Sequence, residues 1–298
     1  MADINQTTFK LTAKESNSGT VILILDSISS CILVVALFFN WLGILLLYQQ
    51  KTKRYSNQKL ILTTLSMTVI CISTTDLTYT IGKFTGLEND APKIYFLCEK
   101  IIASIFITYY LVLFLLTIDR FLAFILILRY KVIVTAYRIK LYLVLCWIIG
   151  PAVATPFFFL GKKIFFDVWY KFIYLILDSI ILLTVVVTYS YILFSFKHRS
   201  YIQKQGNTHR HHHGHNKIFL VISLITISFV FMVAIPDAIH AYRFVMKYKC
   251  SEVEVAVVGI CWKLNYILDP AIYIFLHREI RKMLVNDMQK LKSFFSNR

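Results

Sequence analysis

The chain has 298 residues, of which 58% are hydrophobic and only 16% charged, where an ordinary soluble domain carries about a quarter charged residues. The charges cluster between long apolar runs, which excludes a soluble domain and sets a membrane class. The formal net charge of +16 does not mark a nucleic-acid binder, because the Lys and Arg sit in short loops and the tail, where they orient a membrane protein.

Residues 1–19 are polar and include the sequon Asn5-Gln6-Thr7, a glycosylation acceptor on a lumenal or outer face. The apolar run from Val21 to Tyr48 is too long for the core of a cleaved signal peptide and reads as an uncleaved first span. A helix crossing the hydrocarbon needs about 20 mostly apolar residues, and six further runs qualify. They are Leu60 to Gly82 with Asp76 inside, Ile101 to Ile118, Leu141 to Gly161, Phe172 to Phe196 with Asp178, Ile218 to Tyr242 with Asp237 and His240, and Val255 to Leu276 with Lys263 and Asp269. Continuous runs with short connections exclude a transmembrane barrel and predict antiparallel neighbouring helices. The expected fold is an all-α membrane protein, a seven-transmembrane bundle over 21–276 with an extracellular 1–20 and a cytoplasmic 277–298.

With seven spans, the loops after spans one, three and five share a side with the C-terminal tail. That side holds 20 Lys and Arg, and the other holds 11. The richer side is expected in the cytoplasm and the N-terminus outside, as in a multi-pass protein of the plasma membrane. After span seven, Ile280, Met283 and Leu284 recur at helical spacing among basic residues, which predicts a short amphipathic helix on the inner leaflet. Six cysteines are scattered with no CxxC pair, so no zinc framework is present. Cys31, Cys71, Cys146 and Cys261 fall inside spans and read as core residues.

Several motifs now fall together. Asp119-Arg120-Phe121 ends span three, Asp269-Pro270-Ala271-Ile272-Tyr273 ends span seven, and Asn265 lies four residues before Asp269. Asn40, Trp147 and Pro236 occupy spans one, four and six. From about residue 20 to 288 the chain resembles the rhodopsin-like family of G-protein-coupled receptors, and it is the correct motif in the correct span that makes the resemblance specific. The resemblance implies a receptor that passes an extracellular ligand's signal to a heterotrimeric G protein. It implies that Arg120 pairs with Asp119 at rest and then meets the transducer, and that Tyr273 swings below the kink at Pro270. Tyr189 in span five is a candidate partner for Tyr273, with an interface aromatic as the alternative.

The chain also departs from that family. Alignment from Asn57 puts Met67 where span two usually carries Asp, and Tyr109 stands where span three offers a sodium ligand, so no family-type sodium site is expected. Ala234 replaces the usual Trp before Pro236, and span five has no Pro. The usual loop disulfide lacks its second Cys, because residues 157–171 contain none. Two alternatives stay open for Cys98: a bridge to Cys250 in the third outer loop, or two free thiols.

Ionisable groups inside a membrane are costly and generally face a cavity or each other. Asp76, Glu99, Asp237, His240 and Lys263, with Tyr109, Tyr110 and Trp262 as walls, are the candidate outer ligand pocket. Lys263 pairing with Asp76, Glu99 or Asp237 is the structural alternative. Lys263 also lies seven residues before Pro270, the spacing at which opsins carry their retinal-binding lysine, so retinal on Lys263 is a minority reading, with Glu99 as counter-ion. The stretch His209-Arg210-His211-His212-His213-Gly214-His215 reads as a solvated basic loop rather than a metal site. A transporter or channel is disfavoured by the lack of an internal repeat, and an enzyme by the lack of HExxH or a Ser-His constellation. A receptor relative that no longer signals remains open, given the missing family residues.

Overall fold

The computed structural model describes residues 2–49, 56–86, 92–126, 129–159, 227–246, 251–276 and 278–296, with scattered positions between 173 and 224. Among these residues every regular element is helical and there is no strand. Helix α1 runs Ala2–Gln49, so the polar first residues continue the helix of the first span. No proline precedes Pro92 to interrupt it.

Helix α2 (Ser56–Phe84) is rich in threonine, yet it can lie in hydrocarbon because its threonine hydroxyls are satisfied within the helix. Thr63, Thr64, Thr68, Thr74, Thr75, Thr78 and Thr80 each donate to the carbonyl four residues back. The helix stops at Gly86, whose φ of +76° is open to glycine but strained for other residues. Helix α3 (Pro92–Ile125) starts on Pro92, a residue suited to the first turn because its missing N–H has no helical partner there anyway. A single turn, Tyr130–Ile133, leads into α4 (Ala136–Phe159), where Thr135 Oγ1 caps the N–H of Arg138.

Helix α5 covers Leu175–Thr188. A π-helical turn, Val230–Ala234, feeds α6 (Ile235–Val245). Helix α7 (Glu252–Leu276) opens with a capping box, in which Ser251 N donates to Glu254 Oε2 and Glu254 N donates to Ser251 Oγ. Helix α8 (Arg278–Ser296) follows almost without a break.

Among the described residues, five helices are long and apolar enough to cross a membrane: Thr20–Gln49, Asn57–Phe84, Lys100–Ala123, Ala136–Ala154 and Glu252–Leu276. The expected fifth and sixth spans are described only as the shorter apolar helices Leu175–Thr188 and Ile227–Ile239. Helix α1 packs on α2 and α7, α2 on α3 and α4, α3 on α4, and α7 on α6 and α8.

Polarity is arranged as in a membrane protein. Phe38, Trp41, Leu45, Ile148 and Leu183 face outward, while Asn40, Ser66, Ser73, Asn265 and Asp269 are buried. Trp147 belongs to the exposed set. The chain is therefore a membrane-embedded helical protein. Helices α3 and α4 approach closely at Gly150, where an added Cβ would overlap Thr108 Oγ1 and come within 3.0 Å of the Ser104 carbonyl.

The amphipathic helix expected after span seven is present and longer than its sequence signature. Ile280 is buried, Met283 and Leu284 pack against the core, and Val285 and Met288 remain exposed. The histidine-rich stretch lies outside the described residues.

Candidate functional site

The polar centre of the bundle is built around Asp269 and Pro270 on α7. Pro270 has no N–H, so the carbonyl of Tyr266, one turn earlier, loses its helical donor. Asn40 on α1 supplies the replacement. Its Nδ2 donates to Tyr266 O at 2.9 Å and to Ala36 O at 2.8 Å. An asparagine inside an apolar span is thus explained by a proline 230 positions further along the chain.

Beside this repair, Tyr109 on α3 donates its hydroxyl to Asp269 Oδ2 at 2.8 Å. Asn265 Nδ2 donates both to the Tyr109 hydroxyl at 2.8 Å and to Asp269 Oδ2 at 3.3 Å. The three groups close a triangle that ties α3 to α7 in the buried interior, where such bonds are strong. Asn265 is fully buried, and Tyr109 and Asp269 nearly so. Tyr109, expected among the outer pocket walls, therefore belongs to this central network. Its long phenol reaches across to an acid on another helix, a distance that spacing along one helix does not reveal.

One turn beyond Pro270, Tyr273 is buried and its hydroxyl lies 3.4 Å from Ser66 Oγ on α2. Gly43 on α1 makes room for it, because a Cβ there would overlap the Tyr273 hydroxyl. On α2, Met67 turns outward, 43% exposed, whereas Ser66 and Ser73 are buried. Tyr189 lies outside the described residues.

The neighbouring tyrosine on α3 serves the other proline-bearing segment. Tyr110 OH is 3.3 Å from Asp237 Oδ2, one residue after Pro236. Rings of Tyr109, Tyr110, Phe229, Tyr266, Phe106 and Trp262 meet edge-on or tilted and join α3, α7 and the segment before α6. The expected walls Tyr110 and Trp262 thus lie in one aromatic cluster.

At the end of the bundle nearest α8, Asp119 is buried and accepts a 2.5 Å hydrogen bond from Tyr130. The Phe121 ring meets Tyr191 edge-on at 5.8 Å. Asn57 Nδ2 donates to Val134 O at 2.8 Å, tying α2 to the same turn. Arg120 is within α3, but its side chain lies outside the described residues, so the Asp119–Arg120 pair is not described.

Toward the opposite end lies an ionic cluster. Lys263 Nζ is 3.1 Å from Asp76 Oδ2 and 2.5 Å from Ser29 Oγ. Asp26 on α1 pairs with Lys83 on α2 at 2.9 Å. Arg243 and Glu254 pair across the α6–α7 connection. Lys263 thus meets Asp76, one of the three acids expected as its partner. Sequence reasoning did not single out Asp26 or Ser29, although a charged residue inside the first apolar run was the available signal. Cys98 is a free thiol, and Cys250 lies outside the described residues. The side chains of Glu99, His240 and Asn5 do too.

The chain matches no family model and no curated protein.

Proposed function

We propose that the chain is a seven-span receptor of the rhodopsin-like G-protein-coupled type, with its N-terminus outside and α8 on the cytoplasmic leaflet. It transmits occupancy of an outer polar site to a heterotrimeric G protein. The observation that carries this reading is the joint on α7. The residues from Asn265 to Tyr273 hold one helix to α1, α2 and α3 through Asn40, Ser66 and Tyr109. A helix held at a proline by side-chain bonds rather than by its own ladder can bend there, and bending at such a joint suits a signalling bundle. The joint lies between the ionic cluster around Lys263 and the Asp119 end, so a shift of α7 links the two.

The test is recruitment of a panel of G proteins to the full chain in cells, with wild type beside Arg120→Ala. Basal or stimulated recruitment that disappears in Arg120→Ala, at equal surface expression, is the expected result. Recruitment unchanged by Arg120→Ala would sink the reading in favour of a transporter or a non-signalling relative. Run in the dark and in light with retinal, the same assay addresses light sensing. A light response abolished by Lys263→Ala would assign the outer site to a covalently held chromophore.

A further inference from the structure

The cluster shared by α1, α2 and α7 is balanced in charge. Asp26 and Asp76 are matched by Lys83 and Lys263, in two pairs at 2.9 Å and 3.1 Å. The pairs are graded in exposure. Lys263 and Asp76 side chains are 16% and 19% exposed, while Asp26 and Lys83, nearer the helix ends, reach 24% and 47%. Ser29 Oγ adds a neutral hydrogen-bonding group beside Lys263.

We propose that the Lys263–Asp76 pair is a receiving site for a small zwitterion, a ligand carrying one ammonium and one carboxylate and no net charge. The proposal names the ligand class of the outer site and rests on the receptor reading for its signalling consequence. The argument is one of charge conservation in a medium of low dielectric. A simple anion that took Lys263 would strand Asp76, and a simple cation that took Asp76 would strand Lys263. Either leaves an uncompensated charge among membrane helices, which is the costly outcome. A zwitterion exchanges partners without stranding either group. Its carboxylate meets Lys263, its ammonium meets Asp76, and the site stays neutral. Such exchange separates α2 from α7 at the outer end, on the helix that carries the Pro270 joint.

The full chain in nanodiscs of neutral lipid provides the test, read by its thermal unfolding midpoint. The probes are glycine, β-alanine and 4-aminobutyrate, which differ in charge separation, against acetate, methylammonium and acetamide at equal concentration. At least one aminocarboxylate is expected to raise the midpoint while the singly charged and neutral probes do not. Asp76→Asn and Lys263→Met are each expected to weaken the apparent affinity by about tenfold or more. The reciprocal exchange of Asp76→Lys with Lys263→Asp keeps a neutral pair and is expected to restore most of it. That variant also guards against reading misfolding of a single variant as loss of binding.

Acetate or methylammonium acting as well as the zwitterions overturns the proposal. So does a zwitterion shift equal in wild type and both single variants, or no shift with any aminocarboxylate, in which case the pair is a structural strap. G-protein recruitment separates the two levels. A zwitterion shift without recruitment removes the receptor reading and leaves the site. Recruitment lost in Arg120→Ala without any zwitterion shift does the reverse.

Discussion

The bond from Asn40 to the Tyr266 carbonyl shows how single residues far apart in sequence become one unit. Truncating Asn40 leaves a buried carbonyl without a donor, which costs about 1–3 kcal/mol. Asn40→Ala should therefore destabilise the detergent-solubilised protein by about that amount, measured by reversible unfolding. Pro270→Ala restores an N–H to the same carbonyl, so its combination with Asn40→Ala should lose less than the sum of the two single variants. Strict additivity would mean that Asn40 does not act through the proline. Tyr109→Phe keeps the ring but removes the donor to Asp269, leaving Asn265 on that oxygen. Its expected effect is a loss of about 1 kcal/mol together with raised basal G-protein recruitment, since the α3–α7 tie is weakened. Unchanged basal recruitment would exclude the triangle as a brake on α7.

Among the elements, the segment before α6 shows why a proline need not end a helix. The ring of Pro236 crowds the carbonyl of Met232 and cannot donate to it, and the backbone responds with the π-helical turn Val230–Ala234. The α3–α4 contact depends instead on small residues. Gly150→Ala should destabilise by about 1–3 kcal/mol through overpacking against Thr108, and Thr108→Ala on that background should recover part of the loss. No recovery would place the strain at the Ser104 backbone. Helix α8 is held to the bundle by an apolar edge centred on Ile280. Ile280→Asp should release it, seen as faster hydrogen exchange across 278–296 with α1 to α4 unaffected. Uniform protection in the variant would show that the bundle contact does not hold α8.

At the scale of the whole molecule, the bundle exposes large apolar side chains and gathers buried polar groups within an apolar core, the arrangement in which the bilayer acts as solvent. The excess of Lys and Arg on one set of loops makes orientation testable. Tags at the N-terminus and after α8 should be accessible from outside and inside the cell respectively, in selective-permeabilisation labelling. The reverse pattern would place the Lys263 cluster on the cytoplasmic side and remove the outer-ligand reading with it. Assembly gives the internal acids partners on other helices. Assembled, Asp269 meets Tyr109, Asp237 meets Tyr110 and Asp76 meets Lys263.

The motif resemblance singled out Asn40, Asp269, Pro270 and Tyr273, while the sequence by itself determined the membrane class, the positions of five helices long and apolar enough to cross a membrane, and the amphipathic helix after the last of them. These features rest on composition, on runs of about 20 residues and on local periodicity, which need no knowledge of neighbours. Tertiary structure alone decided which charge meets which, that Tyr109 belongs to the centre, that Met67 faces outward and that Asp26 and Ser29 stand beside the Lys263 cluster. The physical reason is that a helix's rotation about its own axis is set by packing against other helices. A span without proline, glycine or a strong polar stripe reads almost alike in several rotations, and only its partners select one.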